Sequence, residues 1–115
     1  MKRKRLQRSA LLRARDFIRQ HCSRSVTLDE LSALTGLSRY HLVRAFAKEF
    51  GLPPHAYQIR LQIEKAKAML DAGVLPAVVA AETGFADQSH FTRHFKKING
   101  TTPRKYAGPR KREPR

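Results

Sequence analysis

Two stretches of this 115-residue chain decide its fold: residues 36–57, GLSRYHLVRAFAKEFGLPPHAY, and residues 84–106, GFADQSHFTRHFKKINGTTPRKY. The second stretch repeats the first. Residues of the first copy recur at one constant spacing, namely Arg44, Phe46, Lys48, Gly51, Pro54 and Tyr57 as Arg93, Phe95, Lys97, Gly100, Pro103 and Tyr106. Self-similarity of this kind indicates that one supersecondary unit occurs twice in the chain.

Each copy predicts a helix-turn-helix unit. A short helix ends at a glycine, Gly36 or Gly84, and a longer helix follows an N-cap residue, Ser38 or Asp87. At about 100° per residue, the apolar side chains of the longer helix gather on one side. Its other side carries small, polar and basic residues, which suit a helix that enters a major groove about 12 Å wide. The alternative is a helical repeat that packs only on itself, but two units are few for a stable stack.

Caps, glycines and prolines divide the chain into an all-α protein of seven helices. We expect helices over 9–21, 27–36, 39–50, 54–72, 76–83, 88–98 and 103–106. We expect five segments: a basic N-terminal arm or linker stub (1–8), a first helix-turn-helix subdomain (9–53), a linker helix (54–72), a second subdomain (73–106) and a disordered basic tail (107–115). The linker helix would span roughly 28 Å. This length suits two recognition helices in adjacent major grooves, about 34 Å apart.

The charge is strongly basic and concentrated at the two ends. The chain has 24 Lys and Arg against 9 Asp and Glu, a formal net charge of +15. Most of the excess lies in residues 1–8 and 104–115. Such a balance points to a polyanionic partner. Whether the two ends contact phosphates or are solvated tails stays open at this point.

The two quoted strings resemble the paired DNA-binding units of AraC/XylS-type transcription regulators, and the resemblance covers roughly residues 10–106. It implies seven helices, of which the third and the sixth are recognition helices. It implies base contacts from the first recognition helix by Arg39, Tyr40, Val43 and Arg44, and from the second by Gln88, Ser89, Thr92 and Arg93. For phosphate contacts our candidates are Thr27, Ser38, Lys48, Lys96 and Lys97, of which Thr27 and Ser38 lie at helix N-termini.

The resemblance also implies partners. These are double-stranded DNA and RNA polymerase, with transcription activation in the bacterial cytoplasm, at the nucleoid. Many members of the family carry a sensor or dimerisation domain, which this sequence lacks. The chain is therefore either the C-terminal DNA-binding part of such a regulator or similar to the small stand-alone members.

Other functions find less support in the sequence. His90 and His94 have the i, i+4 spacing of a metal pair, but no cysteine or carboxylate cluster completes a ligand set. Cys22 is the only cysteine, and no catalytic constellation is evident, so we expect neither an enzyme nor a cofactor. A non-specific polyanion binder and a cationic membrane-surface protein are the rival classes. No segment is long and apolar enough to span a membrane.

Overall fold

The computed structural model describes residues 2–108, and every regular element in that range is an α-helix. The helices are α1 Lys2–Gln20, α2 Leu28–Thr35, α3 Arg39–Phe50, α4 Pro54–Asp71, α5 Pro76–Glu82, α6 Gln88–Asn99 and α7 Pro103–Ala107. The expectation of an all-α protein with seven helices is confirmed. Helices α2 to α7 begin and end within one residue of the expected positions. None of the helices in this part of the chain is both long and apolar enough to cross a membrane.

The chain divides into two compact units, with the boundary between Gln58 and Ile59, inside α4. The first unit is built around α1, α2 and α3. Its core consists of buried apolar side chains from these three helices, namely Ala10, Leu11, Ala14, Ile18, Leu31, Leu42 and Phe46. Gln58 closes the unit, because its buried amide accepts from Val26 N and donates to Arg24 O.

The second unit has its own core, built by α4, α5, α6 and α7. Its buried side chains are Ile59, Ile63, Ala66, Leu70, Val79, Ala80, Phe85, Phe91, Phe95 and Ala107. The repeat in the sequence is also a repeat in packing. The rings of Phe46 and Tyr57 lie 5.5 Å apart in an edge-on arrangement, and those of Phe95 and Tyr106 lie 5.5 Å apart in the same arrangement.

Local signals set the helix ends as expected. Thr27 and Glu30 form a capping box at the start of α2: the Thr27 hydroxyl accepts from Glu30 N, and the Glu30 carboxylate accepts from Thr27 N. Ser38 and Asp87 cap the two recognition helices by accepting from His41 N and His90 N. Gly36 ends α2 at φ 77°, a left-handed conformation that a residue with a Cβ rarely adopts.

The expected start of the first helix is wrong. α1 begins at Lys2, so most of the segment expected as a basic arm or linker stub is its N-terminal part. The reason lies in the composition, because Lys, Arg, Leu and Gln are good helix formers and no Gly or Pro interrupts residues 2–20. At the other end, Ala107 is a buried residue of α7 rather than the start of a tail. The rest of the expected tail, 109–115, lies outside the described residues.

Candidate nucleic-acid interface

The first recognition helix, α3, has one face in the core and the other in solvent. Leu42 and Phe46 are fully buried. Tyr40 is 72% exposed, and Arg44 and Lys48 follow it along the helix at intervals of four residues, also exposed. Residues four apart lie on one side of a helix, so these three side chains form a continuous ridge. No acidic residue belongs to this ridge.

The Arg44 side chain is held in place by Tyr40. Arg44 Nη1 donates to the Tyr40 hydroxyl at 2.7 Å, and the guanidinium carbon lies 5.4 Å from the centre of the Tyr40 ring. Tyr40, Arg44 and Lys48 line one open cleft of about 530 Å³. A guanidinium fixed at the surface in this way loses less freedom when it pairs with a guanine edge, which is the commonest specific arginine contact in the major groove.

The other two residues expected to contact bases on α3 are placed differently. Arg39 is exposed at the first position of α3, and its Nη1 lies 3.3 Å from Asp29 Oδ1 in an exposed ion pair. Such pairs contribute little to stability, so the guanidinium is available to a stronger partner. Val43 is half-buried. Neither residue lines the cleft formed by Tyr40 and Arg44.

The second recognition helix, α6, brings its four expected base-contact residues together. Phe91 and Phe95 anchor the helix in the core. On the opposite side one shallow cleft of about 460 Å³ is lined by Gln88, Ser89, Thr92 and Arg93. Lys96 and Lys97 are exposed in the last turn. The face is therefore polar and basic, with amide, hydroxyl and guanidinium groups that can read base edges.

The candidate phosphate contacts at helix N-termini differ in their surroundings. The Ser38 hydroxyl accepts from His41 N at 3.1 Å, and Ser38 is exposed beside the N-terminal turn of α3. Thr27 uses both its hydroxyl and its N–H within the capping box. The first turn of α2 also carries Asp29 and Glu30, whose charge opposes a phosphate there.

Glu30 has an unusually low pKa. Arg24 donates from both terminal nitrogens to the two carboxylate oxygens, at 3.1 and 2.9 Å. This pairing, followed by the bond from Thr27 N–H, lowers the pKa of Glu30 to about 2. The same pairing raises the pKa of Arg24. The carboxylate therefore serves the capping box and stays charged at neutral pH.

His90 and His94 of α6 contact each other, with their Nε2 atoms 3.1 Å apart. Both rings also lie against Phe85, at centroid distances of 5.6 and 6.0 Å. Within residues 2–108 no cluster of three or more His, Cys, Asp or Glu side chains is placed to hold a metal ion. The pair packs on the flank of α6 beside the turn that precedes it.

Two groups of residues near the recognition helices were not predicted from the sequence. Gln7 of α1 lines the cleft of Tyr40 and Arg44. It lies on the same side of α1 as the buried core residues, at intervals of three and four, so this periodicity could have predicted its position. Thr102 and Arg104 share a cleft of about 490 Å³ with Gln88 and Thr92. The proline at the start of α7 predicts a helix N-terminus, and these two residues lie at that N-terminus.

A family model described as a helix-turn-helix domain matches residues 31–108, which include both recognition helices. This chain belongs to the AraC/XylS-type helix-turn-helix family. Members of the family are DNA-binding domains of transcription regulators and not enzymes.

Individual proteins resemble the chain in sequence or in fold. YbfI of Bacillus subtilis, an uncharacterized HTH-type transcriptional regulator, is 47% identical over 75 residues, which are 65% of this chain and 27% of YbfI. The chain thus spans less than a third of that relative's length. A probable AraC family transcriptional regulator from Rhodopseudomonas palustris superposes with a TM-score of 0.77 at 26% identity, over 86% of this chain and 94% of that one.

A third comparison concerns fold alone. The DNA-binding domain of AdpA, a global transcriptional factor, superposes with a TM-score of 0.79 at 22% identity, over 84% of this chain and 88% of that domain. The AdpA structure is a complex with a target DNA.

Proposed function

We propose that the chain binds specific double-stranded DNA sites with α3 and α6 in adjacent major grooves, and regulates transcription initiation there. The observation that carries the proposal is that each recognition helix has a buried apolar face and an opposite face that is exposed. Each is anchored by fully buried apolar side chains and turns an exposed face without acidic residues to solvent. An acid-free face of polar and basic side chains fits the phosphate-lined groove of DNA.

We assign base reading to the eight residues named by the family pattern. The four on α6 share one cleft, and Tyr40 and Arg44 share another on α3, which supports a direct role for these six. Arg39 would leave its exposed pair with Asp29 to reach DNA, and Val43 would make an apolar contact. Ser38, Lys48, Lys96 and Lys97 are the proposed phosphate contacts, and Thr27 is a weaker candidate because of its acidic surroundings.

The test is selection of bound duplexes from a random library at about physiological salt, followed by sequencing. We expect an asymmetric site in two parts, whose centres lie about 10–11 base pairs apart. A single enriched half would mean that only one unit reads bases. Retention of DNA with no enriched sequence would contradict specific reading altogether.

The second candidate function is non-specific binding of polyanions. One observation favours it: the basic residues at the start of α1 are all exposed, and no acidic residue precedes Asp16. It predicts equal affinity for every duplex and a steep loss of affinity with salt. The same selection therefore separates the two functions, since only specific reading enriches a sequence.

We infer further partners from family membership. RNA polymerase is the expected target of regulation, and a sensor or dimerisation domain would belong to the longer regulator that relatives such as YbfI represent. The site of action would be the bacterial cytoplasm, where the chromosome lies. Transcription in vitro from a promoter that carries the selected site tests the first of these: stimulation or inhibition with purified polymerase is expected. Unchanged transcript levels despite full occupancy of the site would contradict it.

A further inference from the structure

The N-terminal part of α1, residues 2–8, is a basic helical segment that packs beside the first recognition helix. The Nε2 atom of His41 in α3 lies 2.7 Å from Gln7 Oε1, within hydrogen-bond distance. One residue further on, Arg8 Nε lies 3.4 Å from Glu49 Oε2, near the other end of α3. Two side-chain contacts thus hold Gln7 and Arg8 of α1 beside α3.

The contacts place cationic side chains on defined sides of the segment. Arg3 and Lys4 precede Gln7 by four and three residues, so they lie on the side of α1 that faces α3. Arg3 lines a cleft of about 340 Å³ together with Gln7, Thr35 and His41, at the turn between α2 and α3. Around the helix, Lys4 lies between Gln7 and Arg8, the two residues that contact α3.

The cleft on the other side of the Gln7 contact is cationic too. It runs from Gln7 to the exposed ridge of α3 and is lined by Arg44 and Lys48. No acidic side chain lines either cleft. The arrangement is unfavourable without an anion, because positive side chains at the start of α1 meet the positive end of its own helix dipole. The cationic side chains of α1 and α3 also repel one another. An anion bound along α1 would offset this repulsion and the one from the helix dipole.

We propose that the N-terminal two turns of α1 bind one sugar-phosphate strand of DNA beside α3, through Arg3 and Lys4. The inference rests on the proposed function, since a helix inside the major groove has a phosphate strand along each flank. Charge complementarity selects the occupant: the segment offers a row of cations next to a helix whose own ridge is cationic. Phosphate contacts of this kind add affinity and fix the position of α3 without reading sequence.

The experiment compares two double variants of the full chain that remove the same charge from opposite sides of one helix. R3Q/K4Q neutralises the side that faces α3. K2Q/R13Q neutralises the other side, because Lys2 and Arg13 are exposed and lie about 120–140° around the helix from both Gln7 and Arg8. Glutamine keeps the helix propensity, and circular dichroism of each variant checks that α1 stays folded. The probe is a mixed-sequence duplex of about three helical turns, roughly 31 base pairs.

We expect R3Q/K4Q to lower the slope of log affinity against log salt by about 1–2, because each phosphate that the protein neutralises contributes about 0.9 to that slope. Its affinity at physiological salt should fall by about three- to tenfold. K2Q/R13Q should change both quantities by less than half as much. The Q7A variant removes the side chain that meets His41 and changes no charge. In that background the R3Q/K4Q substitutions should have a smaller effect.

Three outcomes would overturn the proposal. Equal reductions of affinity in the two double variants would mean that the segment acts as unoriented charge. Unchanged affinity in both would mean that DNA binding rests on the recognition helices alone, which leaves the proposed function intact. Failure of the unsubstituted chain to bind the duplex at any salt concentration would overturn this proposal, whereas the proposed function would still stand if the library selection enriched a sequence.

Discussion

At the scale of single residues, several side chains of the first unit are held in place before any partner binds. Arg44 is fixed by the Tyr40 hydroxyl, Ser38 by the first turn of α3, and Glu30 by Arg24. Fixing an arginine in advance reduces the entropy lost on binding. It also means that Tyr40 can affect sequence discrimination through Arg44, in addition to any base contact of its own.

Tyr40 is expected to act through Arg44. Replacing Tyr40 by Phe keeps the ring and removes the hydroxyl that accepts from Arg44 Nη1. We expect Y40F to reduce discrimination at the base read by Arg44 by about 0.5–1.5 kcal/mol, the value of one hydrogen bond. Affinity for random duplex DNA should not change. Binding assays on the selected site and its single-base variants measure this. If Y40F and R44A act additively in the double variant, Tyr40 does not work through Arg44.

Glu30 should titrate far below an ordinary glutamate. Its folded pKa is about 2, lowered chiefly by the Arg24 guanidinium and then by Thr27 N–H, against a usual value of 4.5. A lowered folded pKa means that its contribution to stability is present above about pH 4.5 and is lost as the pH falls towards 2. An NMR titration of the Glu30 carboxyl checks the midpoint. R24Q should raise it, and an unchanged midpoint in R24Q would show that Arg24 is not the cause.

At the scale of elements, the two helix-turn-helix units share one packing plan but differ at the end of the recognition helix. Phe50 ends α3, with its ring 4.6 Å from that of Phe46 and 6.3 Å from that of Tyr57. Asn99 takes the same position at the end of α6. Its Nδ2 is buried and donates no hydrogen bond, so the second unit replaces an aromatic contact with an unsatisfied polar group.

Replacing Asn99 by Phe should stabilise the second unit. The substitution removes the unsatisfied donor and restores the aromatic contact seen around Phe50. We expect about 1 kcal/mol of added stability, typical of a substitution that improves packing, and a rise in Tm of about 4–8 °C. Thermal unfolding followed by circular dichroism measures both. F50N in the first unit is the matched control and should have the opposite sign. A fall in Tm for N99F would mean that α6 has no room for the ring.

At the scale of the whole molecule, the duplication gives one chain two recognition helices that differ in sequence. α3 offers Tyr40 and Arg44, while α6 offers Gln88, Ser89, Thr92 and Arg93. Because the two faces carry different side chains, the two parts of a site should differ in sequence. One copy of the chain would therefore bind a site that need not be palindromic.

Arg44 and Arg93 occupy equivalent positions in the repeat and should act on different parts of the site. We expect R44A and R93A each to weaken binding to the selected site by about 1–3 kcal/mol and to relax the sequence requirement in one part only. Repeating the library selection with each variant gives the two patterns. Equal weakening on random DNA would assign both arginines to phosphates. Relaxation of the same base pairs by both variants would contradict two-part reading.

The sequence by itself determined the seven helices, the repeat and the faces of α3 and α6. These depend on local chemistry: Thr27, Ser38 and Asp87 cap helices, Gly36 ends one, and the 3.6-residue period separates apolar from polar faces. Signals of this kind act within a few residues. They can therefore be read from the chain without knowing what lies far along it.

Only the tertiary structure decided where the basic N-terminus lies and which side chains share a cleft. Gln7 meets His41 across 34 positions of sequence, and Gln58 reaches back 34 positions to Arg24. No local period encodes such contacts, because they arise when packed helices bring distant side chains together. The basic residues at the start of the chain are helical because of their local composition, but their position beside α3 depends on the contact between Gln7 and His41.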